Sequence, residues 1–166
     1  MIVGGESSSG GRKRPRKKVR TTTPNPTITI TPEDGLHVKQ PYNDALVINT
    51  HIKNYLVRRM LVDDGSVVNV LTWEAFRAMG GSSVELKPIT NPITSFCGGT
   101  IKPKGSVKLN IELGERDSQE HLTVKALFNI VDTRLAYNGV IGRPILWETN
   151  VITSIRFLVM KIPTQG

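Results

Sequence analysis

The chain has 166 residues, the length of one domain with a tail, and its 15 glycines and 10 prolines favour a turn-rich, mostly β domain over a helix bundle. The single cysteine, Cys97, excludes an intrachain disulfide, and no stretch approaches the roughly 20 apolar residues that a membrane-spanning helix needs. The N-terminus also lacks an apolar segment of signal-peptide length. We therefore expect an intracellular product, cytoplasmic or nuclear, that is neither secreted nor bound to a membrane.

The net charge of +8 is concentrated near the N-terminus. Up to Glu33 the chain has seven Lys/Arg and two Asp/Glu, and from Asp34 onward it has 15 Lys/Arg and 12 Asp/Glu. Residues 1–26 are rich in small, polar and basic side chains, so we expect a disordered basic tail that cannot bury enough surface to fold. Its cationic run from Arg12 to Arg20 is typical of a nuclear-import signal, of a weak nucleic-acid contact, or simply of a solvated linker. No aromatic residue interrupts the run, so base stacking is not indicated.

From Thr27 onward the pattern is that of β structure. Residues 27–31 alternate Thr and Ile with period two, which predicts a short half-buried strand. Residues 45–52 and 55–62 are two β-prone runs separated by Lys53-Asn54, an arrangement typical of a hairpin. The second run leads directly into the polar turn at residues 63–66.

After that turn, residues 67–71 are apolar and largely β-branched, which predicts another strand. Thr72 is predicted to cap a short helix from Trp73 to Met79 that ends at Gly80-Gly81. Trp73, Phe76 and Met79 are spaced three apart and would share a face, for which core packing is the simplest role.

The rest of the chain predicts further short strands. Two β-prone pieces within residues 93–113 surround a Gly-Gly pair that is typical of a tight hairpin tip. A charged turn at residues 115–120 and a strand at residues 122–131 follow. A helical turn at residues 145–148 and a final strand or two within residues 151–162 complete the chain. Residues 27–166 thus form one predicted all-β domain.

One short motif in this domain carries chemistry. Asp63-Asp64-Gly65-Ser66 follows the apolar strand ending at Val62, and a carboxylate at the end of a buried strand is costly to leave unpaired. Gly65 permits a positive φ or a close approach of the backbone, and Ser66 can donate a hydrogen bond to a carboxylate. Strand, Asp, one residue, Gly and Ser is the arrangement that aspartic proteases use. An ordinary Asp-Gly hairpin turn is the alternative.

A second motif, Tyr137 to Pro144, lies about 75 residues later and contains an apolar-Ile-Gly-Arg sequence. With the Gly-rich hairpin between the two motifs, the element order resembles that of a retropepsin-type aspartic protease subunit. The resemblance is closer still to plant gypsy-type retrotransposon gag-pol polyproteins and covers residues 27 to 164. The similar segments, in order, are residues 41–48, 59–66, 73–76, 137–144 and 158–164.

The resemblance implies a closed or half β-barrel with one or two short helices that forms a two-fold homodimer. Each subunit would supply one catalytic aspartate, here Asp63, and the pair would activate water to cleave a polypeptide substrate without a metal or other cofactor. Gly65 would let the turn approach its symmetry mate, and Ser66 would help to orient the carboxylate. In the flap over the substrate the resemblance places Phe96, Gly98 and Gly99.

Three further positions would support the active site and the dimer by the same resemblance: Asp64, Gly142 and Arg143. Asp64 departs from the family, in which a Thr or Ser at this position donates a hydrogen bond between subunits. An ionised aspartate cannot donate, and it adds a second negative charge beside the catalytic one. We therefore expect a weak dimer or an acidic pH optimum.

Two other functions stay open at this point. The chain would be a non-catalytic interaction module if the fold persists without activity, or a nucleic-acid-binding piece if the basic tail dominates. Asp63, Gly65 and Ser66 favour catalysis, whereas Asp64 and the aromatic content of 5% favour a weakened enzyme. The three histidines (His37, His51 and His121) are scattered along the chain and indicate no zinc site.

Overall fold

The computed structural model describes residues 27–39, 43–94, 98–114 and 121–163. The predicted basic tail, the turn at residues 115–120 and Phe96 lie outside these residues. The elements are β1 (Val47–Ile52), β2 (Tyr55–Val62), β3 (Asn69–Thr72), α1 (Trp73–Ala78), β4 (Ile93–Thr94), β5 (Thr100–Ile101), β6 (Gly105–Gly114), β7 (His121–Val131), β8 (Gly139–Ile141), α2 (Arg143–Thr149), β9 (Ile152–Ser154) and β10 (Val159–Lys161). Short 3₁₀ helices lie at Pro32–Gly35 and Ser83–Glu85. The prediction of an all-β domain with few short helices is confirmed.

Six of the strands close into a barrel in the order β1-β2-β8-β3-β7-β6, and pairing of β1 with β6 completes the ring. Strand β8 is parallel to β2 and antiparallel to β3. Because β2 and β8 run in the same direction, their carboxyl ends lie at one edge of the barrel, and β3 begins at that edge. This topology brings the turn after β2 next to the residues that follow β8.

Local patterns account for the first hairpin and the first helix. Strands β1 and β2 pair antiparallel around Lys53 and Asn54, whose φ angles of 56° and 92° suit a two-residue turn that follows the right-handed strand twist. The predicted cap of α1 is also confirmed, because Thr72 Oγ1 accepts a hydrogen bond from the Ala75 amide at 3.3 Å.

The core fills the barrel and extends beneath both helices. Phe76 is fully buried, Met79 is nearly so, and Trp73 packs against the cluster, so the predicted apolar face of α1 is confirmed. Helix α2 adds Ile145 and Leu146. Fully buried apolar side chains from the strands are Ile52, Met60, Leu71, Ile111, Leu113, Phe128, Ile130, Val131 and Ile141.

The predicted strand at residues 27–31 was wrong. This segment pairs with none of the strands in the described residues, and polar groups along it are satisfied by side chains instead. Lys161 Nζ donates to the Thr29 carbonyl at 2.7 Å, and the Thr31 amide donates to Asp34 Oδ2 at 2.8 Å. A period-two pattern forms a strand only where a sheet edge is available, and here Thr31 instead leads into the Pro32–Gly35 3₁₀ helix.

Two predicted elements near the C-terminus differ in extent. Helix α2 begins at Arg143, two residues before the predicted turn, because Pro144 in its first turn needs no amide partner. The final segment forms two short strands, β9 and β10, which pair with each other in a separate sheet outside the barrel. That hairpin lies beside the turn at Asp63.

Candidate active site

Asp63 lies at the end of β2, on the barrel edge where β8 also ends. Its amide donates to the Ile141 carbonyl at 3.0 Å, which extends the parallel pairing of β2 with β8 by one residue. The Gly65 amide donates to Asp63 Oδ1 at 2.9 Å, and the Ser66 amide donates to the Asp63 carbonyl at 3.2 Å. The half-buried carboxylate is therefore held in one orientation by a backbone donor.

Gly65 contributes through close approach and not through an unusual backbone angle. Its φ is not positive. A Cβ placed at Gly65 would lie 3.1 Å from Asp63 Oδ1, which is tighter than an ordinary van der Waals contact. The sequence leaves open either a positive φ or a close approach of the backbone at Gly65, and the structure shows the close approach.

Ser66 makes a different hydrogen bond from the one expected. Its Oγ donates to the Val68 carbonyl at 2.8 Å and accepts a longer bond of 3.4 Å from the Val68 amide. The hydroxyl therefore stabilises the backbone of the segment that follows the turn. The donor to the Asp63 carboxylate is the Gly65 amide and not Ser66. Ser66 thus stabilises the segment after the turn and does not bond to the Asp63 carboxylate.

A buried side chain at the start of β3, which the sequence pattern did not single out, joins the residue after β8 to β7. Asn69 is 2% exposed; its Oδ1 accepts from the Gly142 amide at 2.9 Å and its Nδ2 donates to the Leu127 carbonyl at 3.0 Å. The signal for it was an amide within the apolar run Val67-Val68-Asn69-Val70-Leu71. Buried amides are retained where their hydrogen-bonding groups are satisfied.

Gly142 and Arg143 pack directly on the turn. The Arg143 amide donates to the Ser66 carbonyl at 2.9 Å. A Cβ at Gly142 would lie 2.3 Å from the Val68 carbonyl oxygen and 2.9 Å from that of Ser66, so only glycine fits. The structure thus brings Asp63, Gly142 and Arg143 together, although Asp63 and Arg143 are 80 positions apart in the chain.

Asp64 is exposed and lies between two depressions of the surface. The first, of about 280 Å³, is lined by residues 44–46, by Leu61 to Asp64, and by Thr153, Ile155 and Leu158 of the β9–β10 hairpin. The second, of about 450 Å³, is lined by Asp64, Arg143, Pro144, Leu146 and Trp147. Both depressions are largely apolar, so the turn is set in an apolar surface that opens to solvent.

The hairpin predicted around the Gly-Gly pair is present and is formed by β4 and β5. Ile93 pairs with Ile101 and Thr94 with Thr100, so five positions connect the strands where a tight turn was expected. Gly98 and Gly99 lie exposed in this connection, and Gly98 has a φ of +80° that favours glycine. A Cβ at Gly98 would meet nothing within 4 Å, so the structure does not bring this position against the turn.

The base of the β4–β5 hairpin is fixed to the barrel by Lys104. Its amide donates to the Ile130 carbonyl at 2.8 Å, and its Nζ forms a 2.7 Å ion pair with Asp132. The same Nζ lies 5.1 Å from the centre of the Trp73 ring, within the range of a cation–π contact. The hairpin therefore extends from a fixed base to an exposed Gly-Gly connection.

Two negative findings apply to the part of the chain that the structure describes. No group of three or more His, Cys, Asp or Glu side chains there could hold a metal ion. No helix there is long and apolar enough to cross a membrane.

Comparison with known proteins identifies similar folds. No protein-family model matches the sequence, and no curated protein matches it. Among solved structures, the retroviral protease-like domain of Ddi1 from Leishmania major superimposes with a TM-score of 0.53 at 13% identity, over 74% of this chain and 94% of that one. A retropepsin-like aspartic protease from Rickettsia conorii gives 0.46 at 17% identity, over 66% and 74% of the two chains. The first superposition shows that the fold of this chain is retropepsin-like.

Proposed function

We propose that this chain is one subunit of a homodimeric aspartic endopeptidase that cleaves the polyprotein of a plant gypsy-type retrotransposon. The observation that carries the proposal is the Asp63 carboxylate, which the Gly65 amide holds at the edge of a retropepsin-like barrel where β2 and β8 end. The sequence contains one Asp-x-Gly-Ser turn, so a second copy of the chain must supply the second carboxylate. The retrotransposon assignment rests on the order of the sequence motifs.

The chemistry follows from two Asp63 carboxylates that face each other across a two-fold axis. Carboxylates about 3 Å apart cannot both be ionised and therefore share one proton, as the paired aspartates of pepsin and HIV protease do. The ionised member takes a proton from a water molecule, whose oxygen attacks the scissile carbonyl carbon. The protonated member donates its proton to the carbonyl oxygen. Collapse of the resulting diol, with proton transfer to the amide nitrogen, breaks the C–N bond.

Several contacts support this use of Asp63. The Gly65 amide restricts the orientation of the carboxylate. Asn69 holds Gly142 in place, and the neighbours of Gly142, Ile141 and Arg143, form backbone hydrogen bonds with the turn. The β4–β5 hairpin, fixed at Lys104 and exposed at Gly98 and Gly99, is suited to covering an extended peptide through backbone hydrogen bonds. These features together provide a fixed carboxylate and a cover over a polypeptide substrate.

A second candidate function is a non-catalytic dimerisation or peptide-binding module. Asp64 favours it, because its exposed carboxylate replaces the hydroxyl that would donate a hydrogen bond between subunits. The two candidates share the fold and differ in whether the protein cleaves a peptide bond.

Cleavage of a mixed peptide library by the full chain between pH 4 and pH 7 tests the proposal. Asp63→Asn should lower the cleavage rate by at least about 10³-fold, because the amide cannot take a proton from water. Glu33→Gln makes the same chemical change at an exposed carboxylate of the Pro32–Gly35 segment and should leave the rate unchanged. If a folded, dimeric wild type cleaves nothing at any pH, the non-catalytic module replaces the endopeptidase.

A further inference from the structure

The groove lined by Asp64, Arg143, Pro144, Leu146 and Trp147 carries two opposite charges that do not pair with each other. Both charged residues are exposed, and neither forms an ion pair with any of the described residues. The remaining lining side chains are apolar. An Asp and an Arg on a shared apolar groove would gain from partners supplied by another surface.

The position of Arg143 is not explained by the stability of its own helix. Arg143 is the first residue of α2, whose first turn contains no acid. A cation at a helix N-terminus opposes the helix dipole, so this charge weakens α2 unless an anion lies close to it. One turn further on, Trp147 is 82% exposed, although tryptophan is usually largely buried. The groove thus has the composition of an interface centre, with an aromatic and an arginine.

We infer that Asp64 of each subunit forms an ion pair with Arg143 of the other subunit, with the Trp147 side chains covered at the same interface. The inference rests on the proposed function, which sets the two-fold axis beside Asp63 and therefore beside its neighbour Asp64. In a two-fold interface, if residue i contacts residue j of the partner, j also contacts i. One contact between Asp64 and Arg143 therefore generates two ion pairs.

This pairing reverses the effect expected of Asp64 from the sequence. Two Asp64 carboxylates near the axis repel each other, but each would also lie against a guanidinium of the other subunit. Electrostatic interaction weakens with distance, so the two close pairs of opposite charge would outweigh the two more distant pairs of like charge, Asp64 with Asp64 and Arg143 with Arg143. Asp64 would then hold the dimer together in place of the missing hydroxyl.

Whether Asp64→Asn weakens or strengthens the dimer distinguishes attraction between Asp64 and Arg143 from repulsion between the two Asp64 carboxylates. Sedimentation equilibrium of the full chain at low salt should show a dimer that Asp64→Asn weakens about tenfold, since the amide loses the charge attraction. Raising the salt concentration should reduce the difference between wild type and variant, because the pairs are only partly buried. A tighter dimer in Asp64→Asn would overturn the inference, because repulsion would then dominate.

Charge reversal provides the second arm. Asp64→Arg and Arg143→Asp should each dissociate the dimer, and the double variant should restore the dissociation constant to within about threefold of wild type, since the pair is rebuilt in reverse. Glu148→Gln, an exposed acid on α2 outside the groove, is the matched control and should change nothing. A wild-type dimer that is insensitive to the single reversals overturns the ion pair and leaves the proposed function intact. A wild type that stays monomeric overturns both.

Discussion

Replacement of Asn69 by alanine tests whether one buried side chain holds the candidate catalytic turn against the end of β8. Asn69 is 2% exposed and bridges the Gly142 amide, at 2.9 Å, to the Leu127 carbonyl, at 3.0 Å. Alanine removes both hydrogen bonds at once. The Gly142 amide then points into a buried site without an acceptor, whereas the Leu127 carbonyl is on a partly exposed strand and can be hydrated.

The expected loss follows from these two environments. A buried donor left without a partner costs about 1–3 kcal/mol, and a hydrogen bond replaced by one to water costs about 0.5–1.5 kcal/mol. The free energy of unfolding should therefore fall by about 1.5–4.5 kcal/mol. Because a domain of this size is stable by only about 5–15 kcal/mol, this is a large fraction of the total. Cleavage should fall as well, since Gly142 no longer fixes the turn.

Urea unfolding followed by tryptophan fluorescence measures this loss, at one protein concentration because dimerisation contributes to stability. Asn110→Ala is the matched control, as Asn110 is exposed on β6 and should change stability by less than about 0.5 kcal/mol. A loss below about 1 kcal/mol for Asn69→Ala would show that the Gly142 amide finds another acceptor, and the role assigned to Asn69 would be refuted.

Two further predictions use the same urea titration. Gly142→Ala should destabilise the protein by more than about 3 kcal/mol, because its Cβ would lie 2.3 Å from the Val68 carbonyl oxygen and the backbone must move; a variant of wild-type stability would contradict this contact. Asp34 has a pKa lowered from its usual 3.8, mainly by the hydrogen bond from Lys161 and then by the Thr31 amide. A lowered folded-state pKa stabilises the protein above pH 3.8, and that contribution disappears as the pH falls through the lower value. The stability advantage of wild type over Asp34→Asn should therefore be constant near neutral pH and shrink below about pH 4, and a difference that does not change with pH would rule out this linkage.

Much of the fold could be predicted from local patterns. The β1–β2 hairpin follows from two β-prone runs around Lys53-Asn54, and α1 follows from the Thr72 cap and the spacing of Phe76 and Met79. These signals are local because turns and caps are decided by a few neighbouring residues. The prediction of a strand at residues 27–31 was wrong because strand formation there depends on a distant partner. Alternating residues allow a segment to pair, but the hydrogen bonds need a neighbouring strand with free donors and acceptors.

The candidate site also contains features that the sequence predicts and features that it does not. Asp63, Gly65 and the Ile-Gly-Arg motif could be recognised from residue types in order, since the turn chemistry lies within four residues. The individual hydrogen bonds could not be predicted from the sequence. Ser66 bonds to Val68 and not to the carboxylate, and Asn69 bonds to Gly142 across a separation of 73 positions.

The sequence by itself therefore determined the β-rich domain, the two hairpins and the identity of the candidate carboxylate. Tertiary structure alone decided that β2 and β8 run parallel, so that Asp63 meets Gly142, and that Asp64 and Arg143 share a groove beside Trp147. The physical reason is that residue pattern fixes which face of an element is apolar, whereas the order of strands in a closed barrel depends on how all the faces pack at once. Contacts between distant residues exist only after that packing is complete.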